Sequence, residues 1–207
     1  TRSFPPEIGG MQNLMWGLAN EISKNYMIKV FADYHQSHQT FDEQVSFSIE
    51  RVGGIKMIRK YRKAQLINEF IKENKVEGII ADHWKSLELI KTNKKKICLI
   101  HSKEINHEKR SNLNKRVLNV LNNVEVVVAN SKFTKNLAVQ CGVDENRITV
   151  INPGVDPVKK LNDNLIKKVE NLLSHKFPRL ITISRYDKRK NHEKVIMALR
   201  NLKQIYP

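Results

Sequence analysis

Acidic side chains are in short supply in this 207-residue sequence. It has 21 Asp and Glu against 37 Lys and Arg, a net charge of +16. A field of that sign draws polyanions: nucleic acid, anionic lipid headgroups or phosphorylated substrates. The same richness in Lys, Asn and Ile is what an AT-rich genome produces, so charge alone names no partner. Cysteine is scarcer still. Cys98 and Cys141 lie far apart and outside any CxxC pair. That excludes a disulfide scaffold and reads as two buried free thiols in a reducing compartment. Cys98, His101 and His107 fit no zinc spacing, so no metal is expected. Aromatics are 7% and scattered. The stacking platforms of a nucleic-acid binder are therefore lacking, and no nucleic-acid partner is expected. No apolar run nears the roughly 20 residues that cross a bilayer. No charged segment leads into an apolar one as a secretory signal would.

What is present is alternation. Short apolar runs predict strands at Met27–Asp33, Val45–Val52, Glu77–Asp82, Lys96–His101, Glu125–Ala129 and Arg147–Ile151. The run Glu77–Asp82 reads as a buried strand. Between them lie helical patterns at Tyr61–Asn74, His83–Thr92, Asn112–Asn122 and Ser131–Gln140, the last with Ser131 as N-cap. This order predicts a doubly wound, Rossmann-like parallel α/β sheet over residues 1–151. Asn152–Pro157 (NPGVDP) reads as a hinge. Residues 158–207 read as the start of a second Rossmann-like domain, with a helix at Asp163–Ser174, a strand at Arg179–Ser184 (RLITIS) and a last helix after Asn191. The opening FPPEIGG reads as the second half of a strand–turn–helix unit. A strand is expected ahead of it, with Thr1–Phe4 as its tail.

Ligands of doubly wound sheets sit beyond the carboxyl ends of the strands. The residues there are Pro5–Gly10, His35, Asp82–Trp84, His101–Lys103 and Asn130–Lys132. Gly9 and Gly10 open a helix, where free N–H groups and the helix dipole favour an anion. The turn lacks GxGxxG and GxxxxGK[ST], which disfavours a dinucleotide site and excludes a P-loop. Arg185 and Lys190 occupy the corresponding place in the second unit, where two cations can hold a diphosphate. Asp82, His83 and Trp84 read either as a helix cap with a packed ring or as acceptor contacts in a cleft, with the cleft preferred. Asn130 and Ser131 are further cleft candidates.

FPPEIGGMQN, VVVANSKFTKNL, RITVINPGVDP and ISRYDKRKNHEKVIMAL, in that order, resemble family 4 retaining glycosyltransferases of the GT-B fold, near the phosphatidylinositol and lipopolysaccharide mannosyltransferase branch. The resemblance implies transfer of a hexose, of mannose or glucose type, from a nucleoside-diphosphate sugar. The acceptor would be lipid-linked or a saccharide of the cell envelope, and no metal or other cofactor would be needed. It implies a cytoplasmic protein at the inner face of an anionic membrane. It gives Gly9, Gly10, Arg185 and Lys190 to the donor diphosphate and His101 to the transferred sugar. Ser184 and Asn191 stand where the family usually has glycine. The family's acidic motif is expected beyond residue 207, so the 207-residue chain is expected to be inactive alone. A GT-B epimerase is the alternative enzyme, and a non-enzymatic polyanion binder the alternative outside catalysis.

Overall fold

Short apolar runs bounded by polar turns become parallel strands, and most are followed by a helix whose apolar stripe covers the sheet. The computed structural model describes residues 1–155, 161–173, 179–184 and 186–205. The chain divides into two compact units, Thr1–Val155 and Asp156–Pro207.

In the first unit, α1 (Gly10–Ser23) leads to β1 (Lys29–Asp33), α2 (His38–Asp42) and β2 (Ser48–Val52). Then come α3 (Lys56–Glu73), β3 (Gly78–Ala81), α4 (Trp84–Leu87) and β4 (Lys95–Ile100). The unit closes with α5 (Asn112–Leu121), β5 (Val126–Ala129), α6 (Lys132–Cys141) and β6 (Ile148–Val150). The expected Rossmann-like α/β class is what the structure shows. The five-residue helix α2 was not foreseen. All strand pairs are parallel, but the strands form two sheets: β1 with β2, and β3-β4-β5-β6 in that order. Ile100 pairs with Ala129, and Ala81 with Cys98, so the carboxyl ends of the four-stranded sheet are aligned.

Two apolar clusters follow from this layout. One fills the space between β3–β6 and the helices α4, α5 and α6, around Trp84, Ile100, Val117, Leu121 and Val127. The other lies under α1, where Met15 and Ala19 meet Ala32 of β1 and Leu99 of β4. Thus α1 bridges both sheets. The expectation of a buried strand at Glu77–Asp82 needs correction. Ile80 is 37% exposed, because β3 is the outer strand of its sheet on that side.

Both thiols are buried and free. Burial pushes the Cys98 thiol far above its ordinary range. On the surface, Glu88 ties three helices together. It follows α4 and accepts from Lys60 of α3 and from Arg116 Nε of α5 at 2.6 Å. The Arg116 hydrogen bond, helped by Lys60, holds the Glu88 carboxyl down at about 2.

In the second unit, α7 (Asp163–Leu172) and α8 (His192–Ile205) are amphipathic helices with exposed apolar stripes. The strand expected at Arg179–Ser184 is not formed. Ile181 and Ile183 are 82% and 84% exposed. A strand exists by pairing, and among the described residues of this unit there is no second strand to pair with.

Substituting Glu88→Gln removes one acceptor shared by two cations. The expected loss is about 1 kcal/mol at neutral pH, since the group is partly solvated. A folded value of about 2 against 4.5 unfolded means this stability is present above 4.5 and fades as pH falls towards 2. Thermal melts of both proteins between pH 2 and pH 7 should converge at the acid end.

Candidate active site

The carboxyl ends of the strands gather the polar residues that the sequence singled out. His101 follows Ile100 of β4 and Asn130 follows Ala129 of β5, so their backbones are neighbours. The Asn130 N–H donates to Ile100 O at 3.3 Å. The His101 N–H donates to the Glu104 carboxylate. Ser102, at φ 88°, then turns the chain away from the sheet. Left-handed backbone is uncommon outside glycine and clusters where a loop is tightly tied at both ends.

The His101 ring carries an unmet polar atom. Its Nε2 is buried and has no hydrogen-bond partner among the described residues. Burial holds the ring below its ordinary range, against the opposing pull of Glu104 and Asp82. At neutral pH it is an uncharged imidazole able to exchange one hydrogen bond with an incoming hydroxyl or carbonyl. His83 lies close enough to interact electrostatically with His101. Burial, with a smaller push from Arg2, drives His83 down to about 4. The His83 Nδ1 also accepts from Lys85 N at 3.0 Å and caps α4.

Two expected acceptor contacts are corrected. Trp84 is fully buried. Its Nε1–H donates to Glu104 O at 2.8 Å, and Lys85 and Arg116 lie over its ring. A large ring gains most by burial, so it packs inward and anchors the His101–Glu104 loop from below. Asp82 is buried too. Its Oδ2 accepts from Arg2 N at 2.8 Å and Ser3 N at 3.1 Å, and its Oδ1 accepts from Ser86 Oγ at 3.0 Å. Burial opposes its ionisation, yet the Thr1 ammonium and the Arg2 N–H outweigh that and keep it below the usual carboxylate range. Both side chains are turned inward, where internal hydrogen bonds occupy their polar atoms.

Ser131 caps α6 as expected, accepting from Thr134 N at 3.2 Å. Asn130 Oδ1 accepts from Thr134 Oγ1 at 2.6 Å, which fixes the Asn130 side chain against the start of that helix. Gly9 is the N-cap residue of α1 and no side chain caps that helix end. A Cβ at Gly9 would press on the Gln12 side chain, whereas Gly10 has open space around it. The first turn of α1 therefore presents uncapped N–H groups with no acidic residue beside them.

Arg51, at the end of β2, carried no signal in the sequence. Its Nη2 donates to Pro5 O and to Asp42 Oδ1, each at 2.6 Å, and its guanidinium lies over the Phe4 ring. It holds the turn that delivers Gly9. Only the long-range fold brings residues 5, 42 and 51 together.

In the second unit, Arg185 lies outside the described residues. Lys190 ends a single 3-10 turn, Lys188–Lys190, that Asp187 caps through Arg189 N at 2.9 Å. Asn191 is left-handed at φ 56°, which explains why a residue tolerant of that conformation follows the lysine. Ser184 Oγ and His192 Nε2 are 3.1 Å apart, a contact glycine at 184 would not make. Among the described residues no group of three or more His, Cys, Asp or Glu side chains is placed to hold a metal ion.

Parallel Rossmann-like strands with polar loops, a glycine turn and a neutral histidine along one edge form an α/β domain whose candidate site lies where ligands of such sheets bind. Residues 8–159 match the profile of Glycosyltransferase Family 4, and the chain belongs to that family. Its fold is similar to that of HepE from Anabaena, solved with UDP (TM-score 0.63, 17% identity) and with UDP-glucose (TM-score 0.60, 17% identity). In both comparisons 83% of this chain aligns with 48% of the HepE chain, so it spans about half the length of that protein. No curated protein matches it in sequence.

The two half-buried histidines, His83 and His101, predict an acid-labile fold. Their folded values lie below the 6.5 of the unfolded chain. Below pH 6.5 the unfolded state therefore binds protons that the folded state refuses, and stability falls until about pH 4. His83→Asn keeps a capping acceptor but does not titrate there. Its melting temperature should depend less steeply on pH between 6.5 and 4, as followed by circular dichroism.

Proposed function

We propose that this chain provides the acceptor-side wall and part of the donor site of a nucleotide-sugar-dependent glycosyltransferase. The observation that carries the reading is the neutral His101 with its unpartnered Nε2 at the carboxyl edge of a Family 4 domain. The reaction is transfer of a mannose- or glucose-type hexose from a nucleoside diphosphate to a lipid-linked or saccharide acceptor, with retention. HepE was solved with UDP-glucose, which supports a sugar nucleotide as donor.

Transfer builds oxocarbenium character on the sugar and negative charge on the departing diphosphate. Dipoles and cations preset for that charge lower the barrier. The uncapped start of α1 at Gly9 and Gly10 supplies N–H groups, and Arg185 and Lys190 supply cations, so no metal is required. His101 exchanges a hydrogen bond with the sugar. His83, Asn130 and Ser131 line the acceptor side, while Asn152–Pro157 acts as the hinge between the units.

An anionic membrane is the proposed working surface. The start of α3 exposes Ile55, Met57, Ile58 and Tyr61 beside Lys56 and Arg62, a basic and apolar mixture suited to an interface. Among the described residues no helix is long and apolar enough to cross a membrane.

Two measurements test this reading. In the full-length protein that contains this chain, assayed for nucleoside diphosphate release from UDP-glucose or GDP-mannose with lipid and saccharide acceptors, His101→Ala should lower kcat by about a hundredfold with a smaller effect on KM. Equal rates for both proteins would remove His101 from the chemistry. Vesicles containing phosphatidylglycerol should co-sediment the chain, and Lys56→Glu with Arg62→Glu should weaken this, each charge near the surface being worth about 1 kcal/mol. Equal binding to neutral phosphatidylcholine would count against the membrane surface.

A further inference from the structure

The His101 ring makes no hydrogen bond among the described residues, and its Nε2 is buried. No protein partner grips the ring itself, so its place depends on the backbone of residue 101. One side chain holds that backbone. Glu104 accepts the His101 N–H through Oε1 and so closes the loop after β4. The Glu104 carbonyl also accepts the Trp84 indole N–H at 2.8 Å. Glu104 is therefore braced by α4 at its backbone and holds the end of β4 with its carboxylate.

The rest of the loop is tied around this contact. Ser102 O accepts from Ile105 N at 3.2 Å and from Asn106 N at 3.1 Å, and Ser102 is left-handed at φ 88°. A residue other than glycine keeps such a backbone where its surroundings over-determine it. Ile105 is fully buried, and its carbonyl accepts from the Cys141 thiol at 3.4 Å. Residues 101–105 thus form a closed bracket, and Glu104 is its grip on His101. Three titratable groups act on the ring: Glu104 from this loop, and Asp82 and His83 from the end of β3. Both carboxylates favour a charged ring, and burial outweighs them. Arg2 and Lys85 act on His83 instead.

We propose that Glu104 is the positioning residue for His101 in sugar transfer. Its carboxylate fixes the backbone of residue 101, and this keeps the imidazole enclosed at the carboxyl edge with Nε2 unmet until the sugar arrives. Glu104 itself touches no reacting atom. The inference rests on the role proposed for His101 and adds what holds that ring in place. A group preset by its supports reacts without first paying to be ordered.

Two variants of the full-length protein that contains this chain separate position from charge. Glu104→Gln keeps an acceptor oxygen for the His101 N–H and removes the charge. Glu104→Ala removes both. The His101 ring is titrated through its Cε1 proton by NMR, the signal being assigned by its loss in His101→Ala. In Glu104→Gln the ring stays enclosed without its carboxylate, so its titration moves to lower pH than in the wild type. In Glu104→Ala the ring leaves its enclosed place, so its titration moves up towards the ordinary 6.5. Trp84→Phe keeps a packed ring but drops the brace on Glu104, so it should also shift the titration upward, and it decides the matter if Glu104→Ala does not fold. A shift to lower pH in both Glu104 variants would reduce Glu104 to a nearby charge and overturn the proposal, as would no shift in either. In the transferase assay Glu104→Ala should lower kcat about tenfold or more with little change in KM, and Glu104→Gln should recover most of that loss at neutral pH. Wild-type kcat in Glu104→Ala would also overturn it. If the wild type turns over no nucleotide sugar, the reading of function fails separately and the ring titrations alone decide this inference.

Discussion

The Asp82 carboxylate accepts the Arg2 and Ser3 amides through one oxygen and the Ser86 hydroxyl through the other. A buried carboxylate is costly unless its lone pairs are met, and here peptide N–H groups meet them. The same bonds attach residues 1–3 to the end of β3. The path to Gly9 starts from that attachment and is steadied by Arg51 on Pro5 O. Beside the apolar contact of α1 with Leu99, the Asp82 bonds give the segment before the glycine turn a polar tie to the four-stranded sheet that carries His101 and Asn130.

From that anchor the site is assembled in layers. Strand pairing sets Ile100 beside Ala129, which brings His101 beside Asn130. Trp84, buried one strand away, reaches up to Glu104 O and steadies the loop that follows His101. The Glu104 carboxylate in turn takes the His101 N–H. The imidazole is left with its Nε2 enclosed and without a protein partner. Its neutral state follows from burial, which outweighs the nearby carboxylates.

Local patterns were well reported by the sequence. Ser131 caps α6 through Thr134, three residues on, and VVVA reads as a strand because a β-branched run has few other stable uses. Asp82 and Trp84 were misjudged because their partners, Arg2 and Glu104, lie 80 and 20 residues away. Arg51 went unnoticed for the same reason. RLITIS was read as a strand from composition, yet composition provides no partner for its backbone.

Hydrophobic period, capping residues and turn chemistry by themselves determined the alternating elements of the first unit, the parallel class of its sheet and the polar character of its carboxyl edge. Each of these depends on interactions within a few residues. Only the tertiary structure decided that the strands fall into two sheets, that Asp82 and Trp84 turn inward, and that His101 keeps an unpartnered nitrogen. Those outcomes depend on which distant groups meet to satisfy buried hydrogen bonds, and neighbouring residues do not encode such meetings.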